Sequence, residues 1–224
     1  MFMKLNRHTL ICCLLLCGVA AAGTGCGIAG KSTAAEQSSV IKDVEANNAG
    51  KKDFASRLSD AALELTHQFV IYDPAYFRIP YPGGDVPANR GVCSDVVIRA
   101  YRKLGIDLQK EVHLDMKANF AIYPKIWGLK TTDTNIDHRR VPNLMTFFSR
   151  KGTSLPVSSN PGDYHPGDIV CWRLDNGATH IGIVTDRTAG GGKRNKVVHN
   201  IGWGQVLADC LFSYKIIGHY RYEK

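Results

Sequence analysis

Cys93 is the residue whose setting says most about chemistry. It follows a glycine-containing loop and opens a helical pattern. A helix N-terminus favours a thiolate, and its free amides can hold a developing anion. A nucleophile there is expected to gain a lowered pKa and an oxyanion site. His180 starts an apolar strand pattern after Asn176-Gly177-Ala178-Thr179, and His199 follows Val197-Val198. In an antiparallel sheet the two imidazoles can stand side by side. Together the three residues supply a nucleophile, a base and an orienter, which is the equipment of acyl transfer. Taken singly, each has a plainer reading as a buried inert cysteine or a satisfied core histidine.

The elements that must position these groups follow from periodicity. Phe54, Leu58, Ala61, Leu65 and Phe69 recur at helical spacing, with Asp53 as N-cap. Residues 72 to 91, rich in Pro, Gly, Asn and Asp, read as a loop. Val96, Val97, Ala100, Tyr101 and Leu104 form the apolar stripe of a helix from Cys93, with Gly105 as C-cap. Asp107 caps a third helix running to about Phe120, and a short fourth covers Leu144 to Arg150 before Gly152. From Asp168 the pattern turns to strands: Ile169 to Trp172, His180 to Val184, Lys196 to Asn200, and one or two more between Val206 and Tyr222. Helices first and strands second indicate an α+β domain with an antiparallel sheet.

The 224 residues are 44% hydrophobic and 21% charged, which excludes wholesale disorder and fibrous classes. No apolar run after residue 30 is long enough to cross a bilayer. Lys4, Arg7 and His8 precede an uncharged stretch from Leu10 to Ala22, so residues 1–25 read as a signal peptide. Cleavage is expected after small residues such as Ala22 or just before Cys26. Residues 26–52 are small and polar and read as a flexible tether. Gly25 to Ser32 matches a phosphate-binding loop through Lys31, and this reads as coincidence at a signal-peptide exit. The net charge of +8 stays basic without Lys4 and Arg7. It suits an anionic partner such as wall polymer or lipid headgroups, or a merely solubilising surface. Export argues against nucleic acid.

The stretch from Cys93-Ser94-Asp95-Val96-Val97 to Gly105-Ile106 resembles the nucleophile helix of NlpC-type papain-like cysteine peptidases. Pro80-Tyr81-Pro82-Gly83-Gly84 resembles that family's Pro-Tyr-x-x-Gly-Gly element, one residue short. Pro166-Gly167-Asp168-Ile169-Val170, His180-Ile181-Gly182-Ile183-Val184 and Val198-His199 resemble its later strands, in the right order. Asp73-Pro74-Ala75-Tyr76 and the segment from Asn135 to Leu144 resemble an uncharacterised family of secreted bacterial proteins within the same superfamily. The residues before Cys26 resemble a lipoprotein box, departing from it at Gly23.

The resemblance implies a papain-like fold over residues 53–224 and a hydrolase acting on amide bonds of peptidoglycan peptides without metal or organic cofactor. In it Cys93 is the nucleophile, His180 the base and His199 the orienter, with Asn200 as fallback. Tyr81 and the Cys93 amide stabilise the oxyanion. Cys26 would carry a lipid that attaches the exported chain to a membrane. The family usually has Asp before the cysteine and Gly after Cys-Ser, where this chain has Val92 and Asp95. Asp95 could hold a cationic group of a substrate, and Arg139 and Arg140 could grip carboxylates. Asp137 with His138 lacks the paired spacing of a metal site. Cys171 and Cys210 are either a bridge between neighbouring strands or free buried thiols, the latter preferred. An acyltransferase or transpeptidase on the same triad, or a non-catalytic wall-binding module, would look the same in sequence.

Overall fold

A computed structural model describes residues 52–224. The signal peptide, the tether up to residue 51, Cys26 and Lys31 lie outside the described residues. Helix α1 spans Phe54–Leu65, and the Asp53 carboxylate accepts from the Ser56 amide at 2.8 Å as its N-cap. It ends before Phe69, which is 81% exposed rather than part of the apolar stripe. Strands β1 (Ile71–Tyr72) and β2 (Arg90–Gly91) pair in parallel, a contact inside what reads in sequence as one loop. Helix α2 is Cys93–Lys103 and helix α3 is Leu108–Ala118, the latter capped by Asp107. Gly105 turns the chain between them with φ of 83°, a conformation that glycine adopts without strain.

Helix α4 is Val141–Lys151, one turn longer at its start than its apolar pattern alone suggests. Pro142 sits in that first turn, where its missing N–H costs nothing. Six strands then form one sheet: β3 (Thr153–Ser154), β4 (Ile169–Arg173), β5 (Thr179–Thr188), β6 (Asn195–His199), β7 (Val206–Ala208) and β8 (Lys215–Arg221). Their order is β3-β8-β4-β5-β6-β7 with every pair antiparallel. The described domain is therefore α+β, four helices with an antiparallel sheet.

Alternation along the strands gives the sheet two apolar faces. Ile169, Cys171, Ile181, Ile183 and Val198 pack with Val96, Val97 and Tyr101 of α2 in the main core. Val170, Trp172, Val184 and Val197 pack on the other side with Tyr164 and Leu211. Each buried side chain of this size contributes about 1.5–3 kcal/mol. The Tyr101 hydroxyl stays satisfied in the core by donating to the Tyr222 carbonyl at 2.9 Å. Cys171 belongs to the first core and Cys210 to the second; both are free.

Candidate active site

Cys93 is the first residue of α2 and is 6% exposed. The turn that presents it is tightly held. The Val92 amide donates to the Asp95 carboxylate at 2.7 Å, and the Ser94 hydroxyl donates to the Arg139 carbonyl at 2.7 Å. The Asn200 amide nitrogen donates to the Gly91 carbonyl at 3.3 Å, while its oxygen accepts from the Gly202 amide at 3.1 Å. Asn200 is thus a brace behind the Cys93 loop and not an orienter of His180.

The thiol does not follow the lowered pKa expected of a helix start. Burial pushes it up to about 12, with the Asp95 charge adding to the rise and the Ile181 amide working against it. Desolvation of a thiolate here outweighs the helix terminus. The resting group is a neutral thiol facing the amide that follows His180.

His180 is the second residue of β5 and is buried beside Trp172, its partner in the β4–β5 register. Their ring centroids are 5.6 Å apart. His180 Nε2 lies 2.8 Å from Nδ1 of His199, the last residue of β6. Burial first, and then His199, lowers the His180 pKa to about 3. Burial lowers that of His199 to about 4. Both rings are therefore neutral near pH 7, and one donates to the other. Gly182 makes the pairing possible: a Cβ there would fall 2.6 Å from Val197 Cγ1 and 3.2 Å from His199 Cβ. Among the described residues, no hydrogen bond joins the Cys93 thiol to either imidazole.

The other expected site residues divide. Tyr81 does not reach Cys93; its ring meets that of His113 at 4.9 Å, beside α3. Tyr72 lines a cavity together with Cys93. Its phenol pKa is raised by burial first and then by its neighbours Cys93 and Asp95. Asp95 and Arg139 hold each other rather than a substrate, with Nε–Oδ1 at 2.9 Å, Nη2–Oδ2 at 3.0 Å and side chains 3% and 2% exposed. Arg139 also donates to the Ala75 carbonyl at 3.0 Å. Arg140 instead lies over the Trp127 ring at 4.2 Å. A cavity of about 210 Å³ is lined by Tyr72, Val92, Cys93, Trp127, Arg140 and Thr179, the residue before His180. Tyr72 and Trp127 had no local signal in the sequence, since one sits in a two-residue strand and the other in a turn.

Asp137 and His138 are buried. Burial raises the Asp137 carboxyl to about 6 and lowers the His138 imidazole to about 3. Among the described residues no three His, Cys, Asp or Glu side chains are grouped to hold a metal.

A family model described as "Domain of unknown function (DUF1287)" matches residues 59–222. The chain belongs to this family. It is 57% identical over 165 residues to a protein of Escherichia coli (strain K12) called "Uncharacterized protein YijF", covering 74% of this chain and 80% of that one. A solved structure, "Structure of NlpC1 from Trichomonas vaginalis", aligns with a TM-score of 0.41 at 18% identity. That alignment covers 77% of this chain and 46% of the other, so the chain spans less than half of that structure.

Proposed function

We propose that the protein is an exported cysteine hydrolase of papain-like type that cleaves an amide bond in cell-wall peptides through a Cys93 thioester. The observation that carries this reading is the convergence at one cavity of Cys93, at the start of α2, with the strand of His180, whose Nε2 is held by His199. The order of the motifs from Pro80 to His199 supports it.

In this reading the chemistry starts from a neutral thiol and a neutral imidazole. As Cys93 sulfur bonds to the scissile carbonyl carbon, its proton passes to the free nitrogen of His180, so no standing thiolate is needed. His199 accepts from His180 Nε2 and stabilises the imidazolium as it forms. Tyr72 and backbone amides at the start of α2 donate to the oxyanion. His180 then gives the proton to the leaving amine as the C–N bond breaks, and water hydrolyses the thioester by the reverse sequence. Export through residues 1–25 and a lipid on Cys26 would set this domain at the wall.

The test incubates the chain from Cys26 onward, and its Cys93→Ala variant, with purified peptidoglycan. Soluble fragments are then analysed by mass spectrometry. Fragments from the unaltered chain alone would establish the hydrolase and identify the bond. A second reading, a wall-binding module that has lost catalysis, is favoured by the burial that pushes the Cys93 thiol up to about 12. Retention on peptidoglycan without fragment release, by both proteins equally, would select it.

A further inference from the structure

Two consecutive arginines end in opposite circumstances. Arg139 spends its donors on Asp95 and on the Ala75 carbonyl. Arg140 makes no side-chain hydrogen bond among the described residues; its Nη1 stands 3.5 Å from Asp137 Oδ1. Its side chain is 17% exposed and its guanidinium lies on the Trp127 ring. Stacking holds a planar cation in place without consuming its N–H donors. The remaining fork is shaped for a carboxylate.

The surroundings favour the same charge. Cys93 opens α2, while Val141 and Pro142 open α4, and all three line the cavity. The positive ends of two helices therefore face one space. No acidic side chain lines it. Of the nearby carboxylates, Asp95 is engaged with Arg139 and Asp133 with the Tyr76 hydroxyl at 3.0 Å, while Asp137 lies 3.5 Å from the buried Nη1 of Arg140 and leaves its Nε and Nη2 donors unpaired among the described residues.

We infer that the cavity selects substrates bearing a carboxylate close to the carbonyl that Cys93 attacks, and that Arg140, held on Trp127, is the residue that binds it. The inference rests on Cys93 being the nucleophile.

Two alkylating reagents of nearly equal size test it without knowledge of the substrate. Iodoacetate carries a carboxylate and iodoacetamide is its neutral counterpart. Capture of Cys93 is followed by peptide mapping, which separates it from Cys171 and Cys210. The unaltered chain should take iodoacetate faster than iodoacetamide. Arg140→Gln should lower that rate ratio by about fivefold or more, as expected of one lost charge at close range. A ratio unmoved by Arg140→Gln would overturn the inference, because the attraction would then come from Arg139 or the helix ends. Failure of both reagents at Cys93 would overturn the nucleophile reading, and the inference with it. A second measurement needs no variant. Succinate should slow iodoacetamide capture of Cys93 in the unaltered chain, and succinamide should not; equal effects would overturn the inference.

Discussion

His180 Nε2 and His199 Nδ1 lie 2.8 Å apart in the buried sheet, and that single contact fixes a proton arrangement. For His180 to accept at Nδ1, its Nε2 must carry hydrogen and donate to His199 Nδ1. The role of His199 is then acceptance at one position. Asn places an oxygen near that position and Ala places nothing. His199→Ala should lower fragment release from peptidoglycan by about a hundredfold, and His199→Asn should recover most of it. Equal loss in both variants would show that His199 acts through packing.

Gly182 is the condition for that pairing. An added Cβ would meet Val197 Cγ1 at 2.6 Å and the Val198 carbonyl oxygen at 3.0 Å. These atoms belong to a packed strand and cannot swing away. Gly182→Ala should cost about 1–3 kcal/mol in urea unfolding and should also reduce activity by displacing His199. An unfolding midpoint within error of the unaltered chain would refute the crowding.

Tyr72, and not Tyr81, lines the cavity that holds Cys93. Tyr72 is placed at the site because β1 pairs with β2 just ahead of Cys93. Tyr72→Phe should slow hydrolysis by about a hundredfold, the effect of removing one oxyanion donor. Tyr81→Phe should change it little. The reverse result would restore Tyr81 and remove Tyr72 from the mechanism.

Which features were legible follows from the range of the interactions behind them. Asp53 and Asp107 cap helices through residues two or three positions away, so the helix starts could be read directly. Cys93, His180 and His199 stood out because a nucleophile at a helix start and histidines in apolar strands are unusual in themselves. Asp95 and Arg139 did not declare their partnership, because 44 residues separate them. Each then looked like a spare charge. The two-residue β1–β2 pairing was equally hidden, and with it Tyr72. The thiol was misjudged for a related reason: the helix terminus is local, whereas the burial that overrides it comes from the whole core.

The Asp95–Arg139 pair should be structural. Its side chains are 3% and 2% exposed, so removing one leaves an uncompensated buried charge. Asp95→Ala should cost about 3–5 kcal/mol in unfolding free energy. Asp95→Ala with Arg139→Met should cost less than Asp95→Ala alone, since no lone charge remains. A loss below about 1 kcal/mol in Asp95→Ala, with weaker substrate binding, would return Asp95 to the substrate.

Acid should destabilise this fold earlier than carboxylates alone would require. The pKa values of His138 and His180 are lowered to about 3, and that of His199 to about 4, all chiefly by burial. Unfolded histidines protonate near pH 6.5. Between these limits the unfolded chain binds protons that the folded chain refuses, so stability is complete above about pH 6.5 and falls as pH drops toward 4. Asp137 works in the opposite direction: with its pKa raised to about 6, it holds a proton in the folded state that the unfolded chain releases between pH 4 and 6. Three histidines against one carboxyl leave a net difference of roughly two protons, or about 2–3 kcal/mol per pH unit in this window. Urea midpoints measured from pH 7.5 to 4.5 should fall steadily below pH 6.5, and His138→Gln should flatten the slope by about one proton. On the proposed mechanism, hydrolysis by the surviving folded chain should persist below pH 6, because His180 stays neutral there and able to accept the Cys93 proton. An activity limb centred near pH 6.5, without loss of stability, would show that His180 titrates as an ordinary histidine and that its burial against Trp172 and His199 does not govern its charge.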